Sequence, residues 1–168
     1  MTKNIYFFSK NYAKSAMLAL FCLLSLSLIG QSKSPRKFRL PAELREVSGL
    51  VVTSADSLWW HNDGGNNAEL FLTNGRGEIQ SAINLPTIIN QDWEDLTHDD
   101  QGRLFIGDFG DNRRVRSQLQ VYRYDPRQEE LDSLQFSYPD HHFYDVEAFF
   151  WHQDSLHLFT KSRIKRAD

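Results

Sequence analysis

Residues 92–108 read DWEDLTHDDQGRLFIGD. Two short runs with apolar residues, 94–98 and 104–107, flank a turn-forming stretch that includes Gln101-Gly102-Arg103. Brief runs cut by Asp, Gly and Asn, with no helical spacing of apolar positions, predict β-strands. The same arrangement extends in both directions. Upstream, strands are expected over 48–53, 58–61, 70–73 and 79–85, with turns at Ala55-Asp56-Ser57, 62–67 and Asn74-Gly75-Arg76-Gly77. From residue 94 the order returns as 94–98, 104–107, 119–124 and 131–138, and a third round opens with 147–152 and 156–159.

Counting gives the period. Ser48 and Glu94 stand 46 apart, as do Leu58 and Leu104 (104 − 58), whereas Glu94 to Glu147 is 147 − 94 = 53 and Leu104 to Leu156 is 156 − 104 = 52. The first turn recurs as Asp56-Ser57-Leu58 and Asp154-Ser155-Leu156, with Gln101-Gly102-Arg103-Leu104 between them. Four-stranded units of about 40 to 50 residues are the signature of β-propeller blades. A β-sandwich of about eight or nine short strands is the competing architecture. The expected fold is therefore all-β, a propeller fragment of about two and a half four-stranded blades after an N-terminal signal helix. Blade 1 spans about 46–86, blade 2 about 92–139 and the start of blade 3 about 145–168, so that 45–168 is a partial propeller. Propellers close with about four to eight blades, so the expectation is of a longer protein, about twice this length, with further C-terminal blades.

The N-terminus carries a different message. Lys3, Lys10 and Lys14 precede an apolar run over 16–29 broken only by Ser25 and Ser27, and no acid occurs before Glu43. That run is of secretory length and short of the ~18 to 20 residues of a membrane span. Residues 1–30 read as an export signal cleaved near Gly30-Gln31, followed by a linker over 31–44. Leu28 is a poor residue three positions before such a cut, which keeps an uncleaved anchor as the alternative. The expected location is exported: periplasmic, cell-surface or secreted. The only membrane contact is through the signal.

Cys22 lies within the signal run and is the only cysteine, so the mature chain has neither disulfides nor cysteine-ligated zinc. Removing three lysines from 19 basic residues leaves 16 against 22 acids, a net charge of −6. An acidic chain is a poor partner for nucleic acid, which is bound by neutralising phosphates. Cations and small neutral ligands fit better.

In a four-stranded blade, the start of the innermost strand and the turn from second to third strand share one face. Ser48, residues 92–95 and 145–147 fall at strand starts; Asn62-Asp63-Gly64-Gly65, residues 108–112 and Thr160-Lys161 fall at those turns. All of them map to one rim. A hard cation such as Ca²⁺ takes about six to eight oxygen ligands. Asp92, Glu94, Asp108, Asp111 and Glu147 are the candidate metal ligands, with oxygen also available from Asp63. Turn chemistry is the competing explanation, and it accounts for 62–67 and Asp99-Asp100 better than for Asp92, Glu94 and Glu147, which adjoin apolar strands. Asn62, Asp63, Trp93, Arg113, Arg116 and Lys161 are the candidate ligand contacts. The arginines and Lys161 suit a phosphate or carboxylate if they face the rim, and are solvated loop residues otherwise. Trp93 is the aromatic placed best to stack on a ligand, although strand aromatics more often fill cores.

Several chemistries lack their motifs. Residues 108–119 have Arg113 where a calcium loop of the EF-hand type has glycine and Leu119 where it has glutamate. No phosphate loop, His-Glu-x-x-His or Gly-x-Ser-x-Gly occurs, and the six histidines share no metal spacing. Glu94 and Glu147 would serve as acid and base in glycoside hydrolysis only at the right separation.

Ser48-Gly49-Leu50, residues 60–65, residues 92–95, residues 107–112 with the arginines that follow, and Asp145-Val146-Glu147-Ala148 occur in that order. Together they resemble a largely uncharacterised family of exported bacterial β-propeller proteins, distantly similar to NHL-repeat and phytase-like esterase propellers. The resemblance spans about residues 45–161 and implies a six-bladed type of ring without implying a reaction. This chain departs from the pattern by stopping inside the third blade, so later ligands are missing from it. The resulting expectation is an exported propeller whose acidic rim binds a divalent cation or small ligand. The alternatives are a metal-dependent hydrolase, phosphoesterase-like or glycosidase-like, and a non-catalytic scaffold for protein partners.

Overall fold

The computed structural model describes residues 38–140 and 142–161. The segment 1–30 expected to be an export signal, the first half of the linker (31–37), His141 and the residues after Lys161 lie outside that range. A 3-10 turn (Ala42–Leu44) precedes ten strands: β1 (Val47–Ser54), β2 (Ser57–Asn62), β3 (Glu69–Thr73), β4 (Ile79–Asn84), β5 (Trp93–His98), β6 (Leu104–Asp108), β7 (Leu119–Asp125), β8 (Glu130–Phe136), β9 (Val146–His152) and β10 (Ser155–Thr160). The described chain is all-β, and every expected strand coincides with one of these to within about two residues at its ends.

The strands form three antiparallel sheets, ordered β1-β2-β3-β4, β5-β6-β7-β8 and β9-β10. Each is a meander of neighbouring hairpins. Turn chemistry explains the hairpins locally. Asp99 Oδ1 accepts the backbone N–H groups of Gln101 and Arg103 while Gly102 adopts φ +78, which is why that turn needs an acid and a glycine. Asn74 caps the next turn type in the same way, accepting from Arg76 and Glu78.

Sheets stack through their first strands, β1 on β5 and β5 on β9. Between the first two lies a core of Trp59, Leu70, Leu96, Leu104, Ile106, Tyr122 and Tyr124. Between the second and third lies another, with Phe105, Phe109, Val121 and Phe149. The far face of the first sheet packs Trp60 and Phe71 against Leu44 and Leu40. Polar ties join the stack as well: Ser48 Oγ donates to the Glu94 carbonyl at 2.8 Å, and Phe149 N–H donates to Asp95 Oδ2 at 2.9 Å.

One irregularity repeats in all three sheets. Pairing runs Val47↔Asn62 then Gly49↔His61 in the first, and Trp93↔Asp108 then Asp95↔Gly107 in the second. In the third it runs Val146↔Thr160 then Ala148↔Phe159. Ser48, Glu94 and Glu147 are thus the extra residues of three equivalent β-bulges. A bulge re-aims the side chain it carries and bends the strand, which is why such residues concentrate at rims and beside sites.

Candidate functional site

The bulge at Glu94 turns its carboxylate toward the loop that follows β2. Carboxylate oxygens of Asp63, Asp92 and Glu94 lie within 4.8 Å of one another. Asp63 is exposed, and Asp92 and Glu94 are half-buried. The backbone around them is held firmly. Asp63 N–H donates to the Glu46 carbonyl at 2.8 Å, Asp92 N–H donates to Asp108 Oδ1 at 3.1 Å, and Gly110 N–H donates to the Asp92 carbonyl at 3.1 Å.

Two glycines allow the approach. A Cβ on Gly110 would stand 2.3 Å from Glu94 Oε1 and 2.5 Å from Asp92 Oδ2, and one on Gly64 would stand 2.6 Å from Asp92 Oδ1. Real Cβ atoms do not come so close, so any side chain at either position displaces the carboxylates.

Gathering acids raises their proton affinity. Burial, then Glu147, Asp92, Asp63 and Asp145, push the Glu94 carboxyl up to about 7. Asp92 is raised too, chiefly by burial and by Asp63, with Arg116 pulling the other way. Glu147, on the next bulge, is held by Lys161 Nζ at 2.7 Å. Lys161 N–H in turn donates to the Asp145 carbonyl at 2.8 Å, matching the bond from Asp63 to Glu46 in the first sheet.

The five candidate metal ligands therefore separate into two groups. Asp92 and Glu94 join Asp63 in the cluster, with Glu147 close enough to bias Glu94. Asp108 and Asp111 are buried and occupied by their own loop. Asp111 accepts Val115 N–H and Arg116 N–H, both at 2.9 Å, and Asp108 Oδ1 pairs with Arg116 at 3.0 Å. Arg116 also donates to the carbonyls of Gly110 and Asp108, so its guanidinium ties the loop down instead of reaching for a ligand. Arg113 lies on the exposed side of that loop. Asn62 donates to the Glu43 carbonyl at 2.7 Å. Trp93 sits in the core, fully buried, edge-on to His61 at 5.3 Å and tilted against Tyr122 at 6.3 Å. It offers no face to a ligand, because the residue next to it, Glu94, takes the bulge and the rim.

Asn90 is a site-building residue that motif reading passes over. Its amide donates to the carbonyls of Asn62 and Asp63 and its oxygen accepts Trp93 N–H, pinning the Asp63 loop to the start of β5. The available signal was its place three residues before a strand, where Asn side chains cap backbone N–H groups. Gly64 and Gly110 lie in turns that the sequence marks, and their closeness to the carboxylates is visible only in three dimensions.

The donor set suits a hard cation. Three carboxylates supply three to six of the roughly six to eight oxygens that Ca²⁺ takes, the rest coming from carbonyls or water. Neither a family model nor a curated protein matches this chain.

Proposed function

We propose that the three sheets are blades of an exported β-propeller and that its acidic rim binds a divalent cation, Ca²⁺ by preference, through Asp63, Asp92 and Glu94. The observation that carries the cation reading is the convergence of three carboxylates within 4.8 Å. Like charges at that distance repel, and a divalent ion relieves the repulsion directly. The propeller reading is supported by sheet-on-sheet stacking through first strands and by the threefold bulge, since blades are copies of one unit packed around an axis. Its resemblance to exported bacterial propellers adds the location. A closed ring of this kind takes about four to eight sheets, and the described residues supply three of them.

Titrating Ca²⁺ while following the melting temperature tests the site. A ligand held only by the native state raises stability by RT ln(1 + [L]/Kd), about 2.7 kcal/mol at 100 Kd. No shift at millimolar Ca²⁺, with Mg²⁺ as the control, removes the cation reading.

A second reading rests on Glu94, whose carboxyl is pushed up to about 7. A group titrating near neutrality beside a metal site is suited to general acid or base work in a metal-dependent hydrolase. Its test is a screen of phosphate esters and glycosides against wild type and Glu94→Gln, and turnover indifferent to that change rules it out.

A further inference from the structure

We infer that Asp63 is a site of isoaspartate formation, and that an ion held by its carboxylate slows the reaction. The second half rests on the cation reading above, and the first stands on the loop alone. The sequence has two places where Asp or Asn precedes Gly, Asp63-Gly64 and Asn74-Gly75. Such pairs are open to attack of the backbone nitrogen on the side-chain carbonyl carbon, because glycine puts no side chain in the path. The fold holds the two in opposite ways.

At the first pair the reacting groups face each other. Gly64 N–H donates to Asp63 Oδ1 at 2.7 Å, so Cγ lies no more than about 4 Å from that nitrogen, one C–O bond further on. Reaction needs a separation of about 3–3.5 Å with the nitrogen aimed at the carbon, and a small turn of the Asp63 side chain supplies the difference. The surrounding backbone is fixed: Asp63 N–H donates to the Glu46 carbonyl at 2.8 Å, Asn90 Nδ2 to the Asp63 carbonyl at 2.8 Å, and Gly65 N–H to the Asn90 carbonyl at 3.2 Å. A Cβ on Gly64 would stand 2.6 Å from Asp92 Oδ1. The glycine that lets Asp92 approach is thus the one that leaves Asp63 open to attack.

At the second pair the groups are turned apart. Gly75 N–H donates to Asp56 Oδ1 at 2.9 Å, away from the side chain before it. Asn74 Oδ1 accepts the N–H groups of Arg76 and Glu78 at 2.9 and 3.1 Å, and its Nδ2 donates to Glu78 Oε2 at 2.7 Å. Bringing the Gly75 nitrogen onto Asn74 Cγ breaks these four bonds. An ionised carboxylate is a poorer electrophile than an amide, so in the unfolded chain Asn74 is the faster of the two. Folding reverses that order.

In the reaction the Gly64 nitrogen bonds to Asp63 Cγ, and its proton and that of the carboxyl acid leave with one carboxyl oxygen as water. A five-membered succinimide results. Water then adds at the Asp63 main-chain carbonyl and breaks its bond to the Gly64 nitrogen, so that the main chain runs through Cγ and the free carboxylate sits on Cα. One water leaves and one enters, and nothing is oxidised or reduced. The product keeps the charge but moves it, on a shorter arm and a longer backbone, out of the group that Asp63 forms with Asp92 and Glu94 within 4.8 Å. An ion bridging those carboxylates occupies the oxygen that must leave. When only the ion-free chain reacts, the rate falls about 100-fold at 100 Kd.

Prolonged incubation of the whole chain at neutral pH in chelator, followed by peptide mapping with isoaspartyl methyltransferase labelling, should find isoaspartate at Asp63 ahead of any conversion at Asn74. In denaturant the order should invert. No isoaspartate at Asp63, or the same order in both states, overturns the site. Repeating the incubation in saturating Ca²⁺, beside a melting curve, tests the protection. An undiminished rate together with a raised melting temperature overturns the protection and leaves the cation reading standing. An undiminished rate with no rise in melting temperature overturns the cation reading as well and leaves the modification site standing.

Discussion

Replacing Glu94 with glutamine isolates the electrostatic tension of the site, because the amide keeps the shape and removes the charge. Burial and four neighbouring carboxylates raise the Glu94 carboxyl from 4.5 to about 7. The difference, 7 − 4.5, is about 2.5, or about 3.5 kcal/mol at about 1.4 kcal/mol per pKa unit. Glu94 is only half-buried, and solvent screening reduces that ceiling to about 1–2 kcal/mol. The sign follows from proton linkage. The folded state holds the proton more tightly, so Glu94 favours folding below about pH 4.5, and that contribution is lost as pH rises through about 7. Glu94→Gln should therefore be close to wild type at pH 4.5 and more stable by about 1–2 kcal/mol at pH 8 in chelator. In urea unfolding, with a slope of about 1–3 kcal/mol/M, the midpoint at pH 8 should rise by about 0.5–1 M. Adding Ca²⁺ reverses the order, since the ion stabilises the wild type and finds one carboxylate fewer in the variant. A variant destabilised equally at both pH values, or one that gains as much from Ca²⁺ as the wild type, would refute the account.

Gly110→Ala drives a methyl group into the Glu94 and Asp92 carboxylates, so it should abolish the Ca²⁺-induced rise in melting temperature and cost about 1–3 kcal/mol by overpacking. Isothermal titration with Ca²⁺ well below the melting transition separates lost binding from lost stability. Arg116→Ala leaves the buried Asp108 carboxylate without its ion pair and should lower stability by about 3–5 kcal/mol, measured by urea unfolding. His61 is buried with Nε2 unpartnered, and burial lowers its pKa below 6.5. Its unfolded form binds the proton more readily, so stability should fall as pH drops below about 6.5, opposite in sign to Glu94. His61→Gln should flatten that arm of the pH–stability curve.

The strands were legible because each combines apolar residues that need burial with turn residues that need particular backbone angles. Asp99 and Gly102 show the link: an acid at the turn start and a glycine at φ +78 are what that hairpin requires. The spacing of Ser48, Glu94 and Glu147 also marked equivalent positions, and these proved to be the three bulges. A bulge shifts the phase of a period-two pattern by one inserted residue, and strands this short carry too few positions on either side to reveal the shift. That is why Trp93 loses the rim place expected of it while Glu94 keeps its own. Counting along the strand leaves both near the rim, whereas the slip in register buries the indole beside His61 and swings the carboxylate toward Asp63.

Asp108 and Asp111 illustrate a different limit. A carboxylate that caps a loop and one that holds an ion are the same residue type in the same Gly-Asp-Asn surroundings, and only the partner distinguishes them. Arg116 is that partner. Eight residues after Asp108, it folds back onto the carboxylate and two carbonyls, satisfying the acid from within the chain. Among the described residues Asp63 pairs with no such cation, its Oδ1 accepting Gly64 N–H from its own loop, and Asp92 has its carboxylate pressed against Gly110 and Gly64. An acid neutralised by its own loop has little to gain from an ion. The acids left beside one another gain most, which is why the proposal assigns the cation to Asp63, Asp92 and Glu94 and leaves Asp108 and Asp111 in the wall behind it.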